Sequence, residues 1–439
     1  MTLSRLSLRL FASTFAFIGC KSVAPPTDRP ASVAAPALVA PAAYSVSGNA
    51  GPDELAALGV ARHPSVKAAE AKVRRMMAKV PQARALPDPK LRFSGGSMAE
   101  TAAGRVDWMT GVEQALPFPG KLRALAAAAG KEAEAAAADL ELARLEVAEQ
   151  IRATYWDYFL AVRTTAITSE TKSALGLVRD SIDARVATND AGQSDQLRIA
   201  TEFGKLEKAL VEARQAERSA KARLNSLLNR PGDASLPSPA SRMDRQRGEL
   251  NALLAKAGAS HPSVAAAEAQ VEAFRHRLAS ARLDRYPDFL LGVQHASVSD
   301  NGLAMSANGR DQVFATLGIS LPLWQAPRRA RVEEATAGIE ESTARVAAAR
   351  ANLRFRVEDA WVRAKSADEL IRLFDKQILP ESKQAFDLIL TGYSAGTDSY
   401  VDVLDGWRSW LGFQFQQAAN QAQLGKAIAA LKSATGEGP

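Results

Sequence analysis

HPSVKAAEAKV, residues 63–73, returns as HPSVAAAEAQV at residues 261–271, 198 positions later. The match runs without a gap to Pro89 and Pro287, each just ahead of alternating apolar residues. A second phase follows at an offset of 205, pairing Pro117 with Pro322 and Trp156 with Trp361. Near the end of each half stands a glycine turn, AGQSD at 191–195 and AGTDS at 395–399. Repetition on this scale predicts two like structural units. They span residues 51–240 and 241–439, each running helix, two strands, long helix, turn, helix.

Proline marks the boundaries. None occurs between Gly120 and Arg230, or between Arg328 and Leu379. Leu140, Val147, Ile151, Tyr158 and Val162 are spaced 7, 4, 7, 4, the seam of a coiled coil. A helix over 121–187 is roughly 100 Å long at 1.5 Å per residue, longer than an ordinary domain is wide. Its partner is predicted over 196–229, and the second half predicts helices over 328–390 and 400–432. Pro380 falls inside the second long helix with no counterpart at Leu175, and predicts a bend or break there. His63-Pro64 and His261-Pro262 read as helix starts, with proline at the first helical position, rather than as metal ligands.

Four strands follow from period-two alternation. Val313, Ala315, Leu317, Ile319 and Leu321 alternate with Phe314, Thr316, Gly318 and Ser320. Phe289, Leu291, Val293 and His295 form a second run, and Val106, Trp108, Thr110, Val112, Gln114 and Leu116 a third, preceded by residues 90–97. The strand pairs thus fall at 90–116 and 288–321. Each run is about ten residues, the length of a tilted membrane strand. Four strands cannot close a barrel, which needs about eight, and an open edge in lipid leaves backbone groups unpaired. Membrane insertion therefore demands company. Three copies give twelve strands and a twelve-helix tube.

The chain is 439 residues, 47% apolar but only 6% aromatic, because alanine carries much of the count. That favours long helices over a thick core. A net charge of +7 without a basic tail or an RNA-binding strand motif argues against nucleic acid as a partner. Residues 1–19 read as a secretory signal: Arg5 and Arg9, an apolar run, then Phe17-Ile18-Gly19 before Cys20. The small residue before the single cysteine resembles a bacterial lipobox and predicts cleavage and acylation at Cys20. Lys21 then favours the outer membrane. With that thiol acylated, neither a disulfide nor a thiolate metal site is expected. Residues 20–50 form an Ala/Pro-rich tether.

GYSAGTDSYVDVLD at 392–405, with HPSV, ALPDPKL at 85–91, GVEQALPFPGKLR at 111–123 and the duplication, resembles the TolC family of outer-membrane efflux proteins. The likeness covers about residues 53–433. It implies a mainly α fold with a membrane β-barrel part: a trimeric twelve-stranded barrel continued by a long periplasmic α-helical barrel. It implies an outer-membrane exit duct docked to a periplasmic adaptor and an inner-membrane pump of the resistance-nodulation-division type. The turns around Gly192, Ser194, Gly396 and Ser399 become the adaptor-docking tips. Asp402 and Asp405 fall where the family lines its closed aperture, and their spacing of three puts both on one helix face. In a trimer each would form a ring of three charges, suited to cation selectivity. Tyr393 falls where the family has a tyrosine that helps hold the aperture shut. Asp398 departs from the family, whose better-studied members carry a basic residue there. ALPDPKL and PFPGKL resemble the branch that serves heavy-metal cation pumps.

The alternative for the chain is a periplasmic coiled-coil adaptor or scaffold, but two strand pairs have no use in an adaptor hairpin. No Gly-rich phosphate loop, Ser/His/Asp grouping or HExxH motif points to an enzyme. No cofactor and no resident metal are expected.

Overall fold

His63 and His261 cap the helices that lead into the strands. In both the ring Nδ1 accepts from the backbone N–H two residues on, Ser65 and Ser263, at 3.3 Å, and proline follows at the first helical position. The computed structural model describes residues 46, 48, 50–95, 100–101, 103–187, 192–240, 248–300 and 309–438. The predicted signal, Cys20 and nearly all of the tether lie outside them. Helices α1 (Pro52–Val60) and α2 (Pro64–Arg84) precede strands β1 (Lys90–Gly95), β2 (Glu100–Thr101) and β3 (Gly104–Leu116). Helices α3 (Lys121–Ala187) and α4 (Gln193–Leu227) follow. The order then runs again: α5 (Leu250–Ser260), α6 (Pro262–Leu283), β4 (Phe289–Val298), β5 (Gln312–Ile319), α7 (Gln325–Leu373), a π-helical segment (Phe374–Ile378), α8 (Leu379–Ala395) and α9 (Tyr400–Ala434).

The second long helix departs from a simple break. Pro380 has no N–H to give the carbonyl four residues back, and its ring crowds that carbonyl. The chain widens into i→i+5 geometry over Phe374–Ile378 and resumes as α8 with Pro380 in its first turn. The helix is interrupted in hydrogen bonding but not in course.

The sheet is antiparallel in the order β1-β3-β4-β5, with β2 beside β3, so the two halves meet at β3 and β4. Val112 faces Val293, and Val293 faces Ala315. That register gathers one parity on one face: Leu91, Phe93, Val112, Leu291, Val293, Val313, Leu317 and Ile319. All are exposed, Phe93 at 72% and Leu317 at 66%. The other face carries Arg92, Glu113, Gln294, Thr316 and three glycines, with Met109, Leu290 and Phe314 as the large apolar exceptions. Arg92 reaches Glu113 at 2.9 Å, and Gly292 opposite leaves the room that Glu113 occupies.

Helix packing forms clusters along the long helices. Near α1, Ile151, Tyr155, Trp156 and Phe159 of α3 bury against Leu55, Ala56 and Leu224. Gly425 of α9 lies flat on the Trp156 indole, where a Cβ would overlap the ring. Buried Arg152 donates to Asp53 at 2.7 Å, and Lys432 reaches the same carboxylate at 2.8 Å, tying α1 to α3 and α9. A second cluster, far along the hairpins, joins Ile167, Leu175 and Ile182 of α3, Ile199 and Leu206 of α4, and Phe386, Val403 and Trp407 from α8 and α9.

Candidate functional site

The second hairpin turns within five residues. Gly396 stands in the left-handed region at φ +82°, which a Cβ would strain, and its N–H bonds the Tyr393 carbonyl at 3.1 Å. The N–H of Thr397 closes on the Gly392 carbonyl at 2.9 Å. Ser399 then caps α9. Its hydroxyl accepts from the Asp402 N–H at 3.3 Å, and the Asp402 carboxylate accepts from the Ser399 N–H at 3.1 Å. This reciprocal pair satisfies two donors of the helix start.

Asp402 therefore has a local task as well as an exposed carboxylate. The Ser399 hydroxyl and then its N–H, both donating to the carboxylate, hold it below the ordinary range. Asp405 is also exposed and accepts from Arg408 at 3.2 Å. Val403, Leu404 and Trp407 turn the opposite way and are buried, so both acids do share the open face. Asp398 lies beside Gly392, where its carboxylate occupies the space a Cβ would need. Tyr393 is buried, with its ring 6.4 Å from that of Tyr400.

The first hairpin is finished differently. Gly192 is the cap of α4, extended at φ −85°, with no side-chain cap; Ser194 follows, exposed, in the first turn. The matched glycines of AGQSD and AGTDS thus do different work, one starting a helix and one ending one. Residues 188–191 lie outside the described residues.

Sequence reasoning missed the group that joins the hairpins. Glu202 of α4, buried at 6% exposure, accepts from Arg408 of α9 at 2.6 Å and from Lys205 at 2.7 Å. Burial raises its pKa, but hydrogen bonds from Lys205 and Arg408, with the attraction of both cations, outweigh that and hold it below the ordinary value. Tyr400 alongside is pushed up to about 12, by burial first and then by Glu202 and Asp195. Its hydroxyl and the Trp407 indole N–H are buried with no partner among the described residues. Buried donors of this kind are ordinarily satisfied. The Arg408–Asp405 spacing of three was a readable signal. The link to Glu202, 206 positions away, was not.

At the other end, aromatic residues bracket the exposed face of the sheet. Phe93 stacks near Trp108 at 6.3 Å, and Phe118 stacks on Tyr286 at 4.5 Å. No described helix is long and apolar enough to cross a membrane. The apolar band belongs to the strands.

The profile of the outer membrane efflux protein family matches residues 57–230 and 253–437. The cobalt-zinc-cadmium resistance protein CzcC of Cupriavidus metallidurans is 24% identical over 343 residues, covering 75% of this chain and 76% of that one. The pyoverdine export outer membrane protein OpmQ of Pseudomonas putida is 24% identical over 99% of this chain and 96% of its own. The fold superposes on the outer membrane protein VceC of Vibrio cholerae with a TM-score of 0.74 at 20% identity, over 88% of this chain and 96% of that one.

Proposed function

The chain belongs to the outer membrane efflux protein family and is an outer-membrane efflux duct; we propose that it conducts as a homotrimer with one closed barrel. The observation that carries this reading is the pair of edges, β1 and β5, that no further strand of the described residues covers, on a sheet with one exposed apolar face. Unpaired edges cost several kcal/mol per backbone group in lipid. Three copies joined β1 to β5 give a closed sheet of twelve long strands, a barrel of ordinary size. Light scattering on detergent-solubilised protein should return three protomers. A monomer with full strand content refutes the shared barrel.

In this reading the hairpin tips around Ser194 and Ser399 meet a periplasmic adaptor, which links the duct to an inner-membrane pump. Cysteines at these positions should cross-link to the adaptor, and one at Leu317 should not. Asp402 and Asp405 project into the aperture as rings of three, where like-charge repulsion opposes the lowering that Ser399 causes. Replacing both with alanine should weaken cation selectivity and relieve multivalent block in planar bilayers. Unchanged block with normal assembly would place both acids in bulk solvent. Tyr393→Phe should raise open-state conductance if the hydroxyl helps hold the aperture closed. Cys20 is acylated and anchors the tether; palmitate label should be lost in Cys20→Ala.

The cargo class is divalent metal cations, supported by the likeness to a cobalt-zinc-cadmium resistance protein. Deletion should sensitise cells to zinc, cobalt or cadmium. Unchanged metal tolerance with pyoverdine retained inside the cell would instead favour the cargo named for OpmQ.

A further inference from the structure

Four guanidinium groups gather at the foot of the strands. Arg282 near the end of α6, Arg285 just beyond it, and Arg328 and Arg329 in the first turns of α7 line a cavity of about 310 Å³ whose lining holds one carboxylate, Glu333. Asp284, which lies between Arg282 and Arg285 in sequence, is already engaged by Lys121 and Arg331, each at 2.9 Å. Arg328 is held by backbone, donating to the Asp284 carbonyl at 2.8 Å and to that of Trp324. Arg285 lies over the Tyr286 ring at 4.8 Å and donates to its hydroxyl at 2.7 Å. Arg282 and Arg329 are exposed, and no carboxylate of the described residues lies within ion-pair distance of either.

The place of this groove limits what can fill it. Leu321 and Leu323 continue the parity of the apolar sheet face beyond β5, and Trp324 follows at 78% exposure. Phe118 likewise continues the parity of Leu116 and carries the stacked Tyr286. Exposed aromatics and leucines beside unneutralised arginines are the composition of a headgroup layer, where tails meet phosphate. The start of α7 adds the positive end of its dipole.

We propose that this groove binds the phosphodiester of an anionic phospholipid in the periplasm-facing leaflet. The proposal rests on the reading that the sheet enters the outer membrane. Arg282 and Arg329 contact the phosphate, Arg328 and Arg285 shape the wall, and Trp324 seats the glycerol and upper chain.

The test uses the full-length protein in detergent, with Trp fluorescence followed during titration with phosphatidylglycerol. Phosphatidylcholine and inorganic phosphate are the comparison arms. Phosphatidylglycerol should bind saturably and phosphatidylcholine much more weakly, and millimolar phosphate should not compete. Arg282→Ala with Arg329→Ala should weaken binding on the order of thirtyfold, given the contribution of each arginine near an anionic surface. The double lysine variant should stay within roughly threefold, since charge is kept. Arg345→Ala with Arg350→Ala, farther along α7, should change nothing. Equal affinity in the double alanine variant, or for phosphatidylcholine, overturns the site; competition by phosphate assigns it to the free ion instead. Flotation with liposomes and the protomer count are read on the same preparations. A protein that fails those loses the membrane reading. A trimer that floats but is indifferent to the arginines loses only the groove.

Discussion

In the first half a single α-helix of 67 residues runs from the sheet to its turn; in the second the same stretch divides into α7, five residues of π-helix and α8. The turns differ too. One ends on an αL glycine and a capping box, while α4 starts from Gly192 with no side-chain cap. Among the described residues the two hairpins share a plan of length and burial, but the π-helical turn and the αL tip glycine sit in the second. The reason is local. At offset 205 from Pro380 stands Leu175, which is 1% exposed in the far cluster, whereas Pro380 is on the surface. A buried helix face needs a side chain there. An exposed one tolerates a ring if the turn can widen.

The strongest way to break this comparison is to put the proline in the other hairpin. Leu175→Pro removes a helix bond, adds a clash and empties a core position, and should cost more than about 3 kcal/mol. Pro380→Ala should change stability by less than about 1 kcal/mol, since the widened turn can stay or relax. Denaturant unfolding followed by circular dichroism separates the two, and equal costs would end the distinction. Next in size is the link between hairpins. Glu202→Ala leaves Arg408 with Asp405 alone and removes the tie between α4 and α9. Because Arg408 is half exposed, the expected loss is about 1–2 kcal/mol, below that of a fully buried pair. A double-mutant cycle with Arg408→Ala should show coupling.

The turns come third. Gly396→Ala forces a Cβ into the left-handed region and should cost about 1 kcal/mol. Gly192→Ala, at an extended φ, should cost only a few tenths. Reversed values would mean that the matched glycines do matched work after all. The smallest effect is acid sensitivity. Glu202 and Asp402 both have lowered folded pKa values, so the stability they add is whole above the unfolded carboxylate range near pH 4. It is lost as pH falls through the folded values. Proteolysis of the second tip should accelerate as pH falls below the unfolded carboxylate range, and Glu202→Gln should remove most of that dependence.

Much of this was readable in advance. The absence of proline over 121–187 and the run of helix formers gave α3 its limits. Alternation placed the strands because one face is apolar and the register cannot slip without reversing it. Histidine before proline placed the caps. The tip was legible only in part. Asp402 and Asp405 could be put on one face by spacing alone. Spacing says nothing of the Ser399 cap that lowers Asp402, nor of the distant α4 residue that binds Arg408. Residue identity does not encode φ, so AGQSD and AGTDS looked alike. The π segment was illegible because FDKQI carries no preference for i→i+5 bonding; it answers a proline two residues further on.

The two bare strand edges set a rule for how fast the duct can be made. In the shared barrel proposed above a lone copy has nowhere to end its sheet, so its membrane form is finished only by collision with others. Completion then depends on how many copies arrive together, and scarcity acts as a brake of its own. Until then each newly made chain displays both a row of unspent backbone donors and acceptors and a strip of bare leucine, valine and phenylalanine. Such a chain is adhesive toward any passing strand. Its safe passage from synthesis to membrane is a matter of escort and timing as much as of fold.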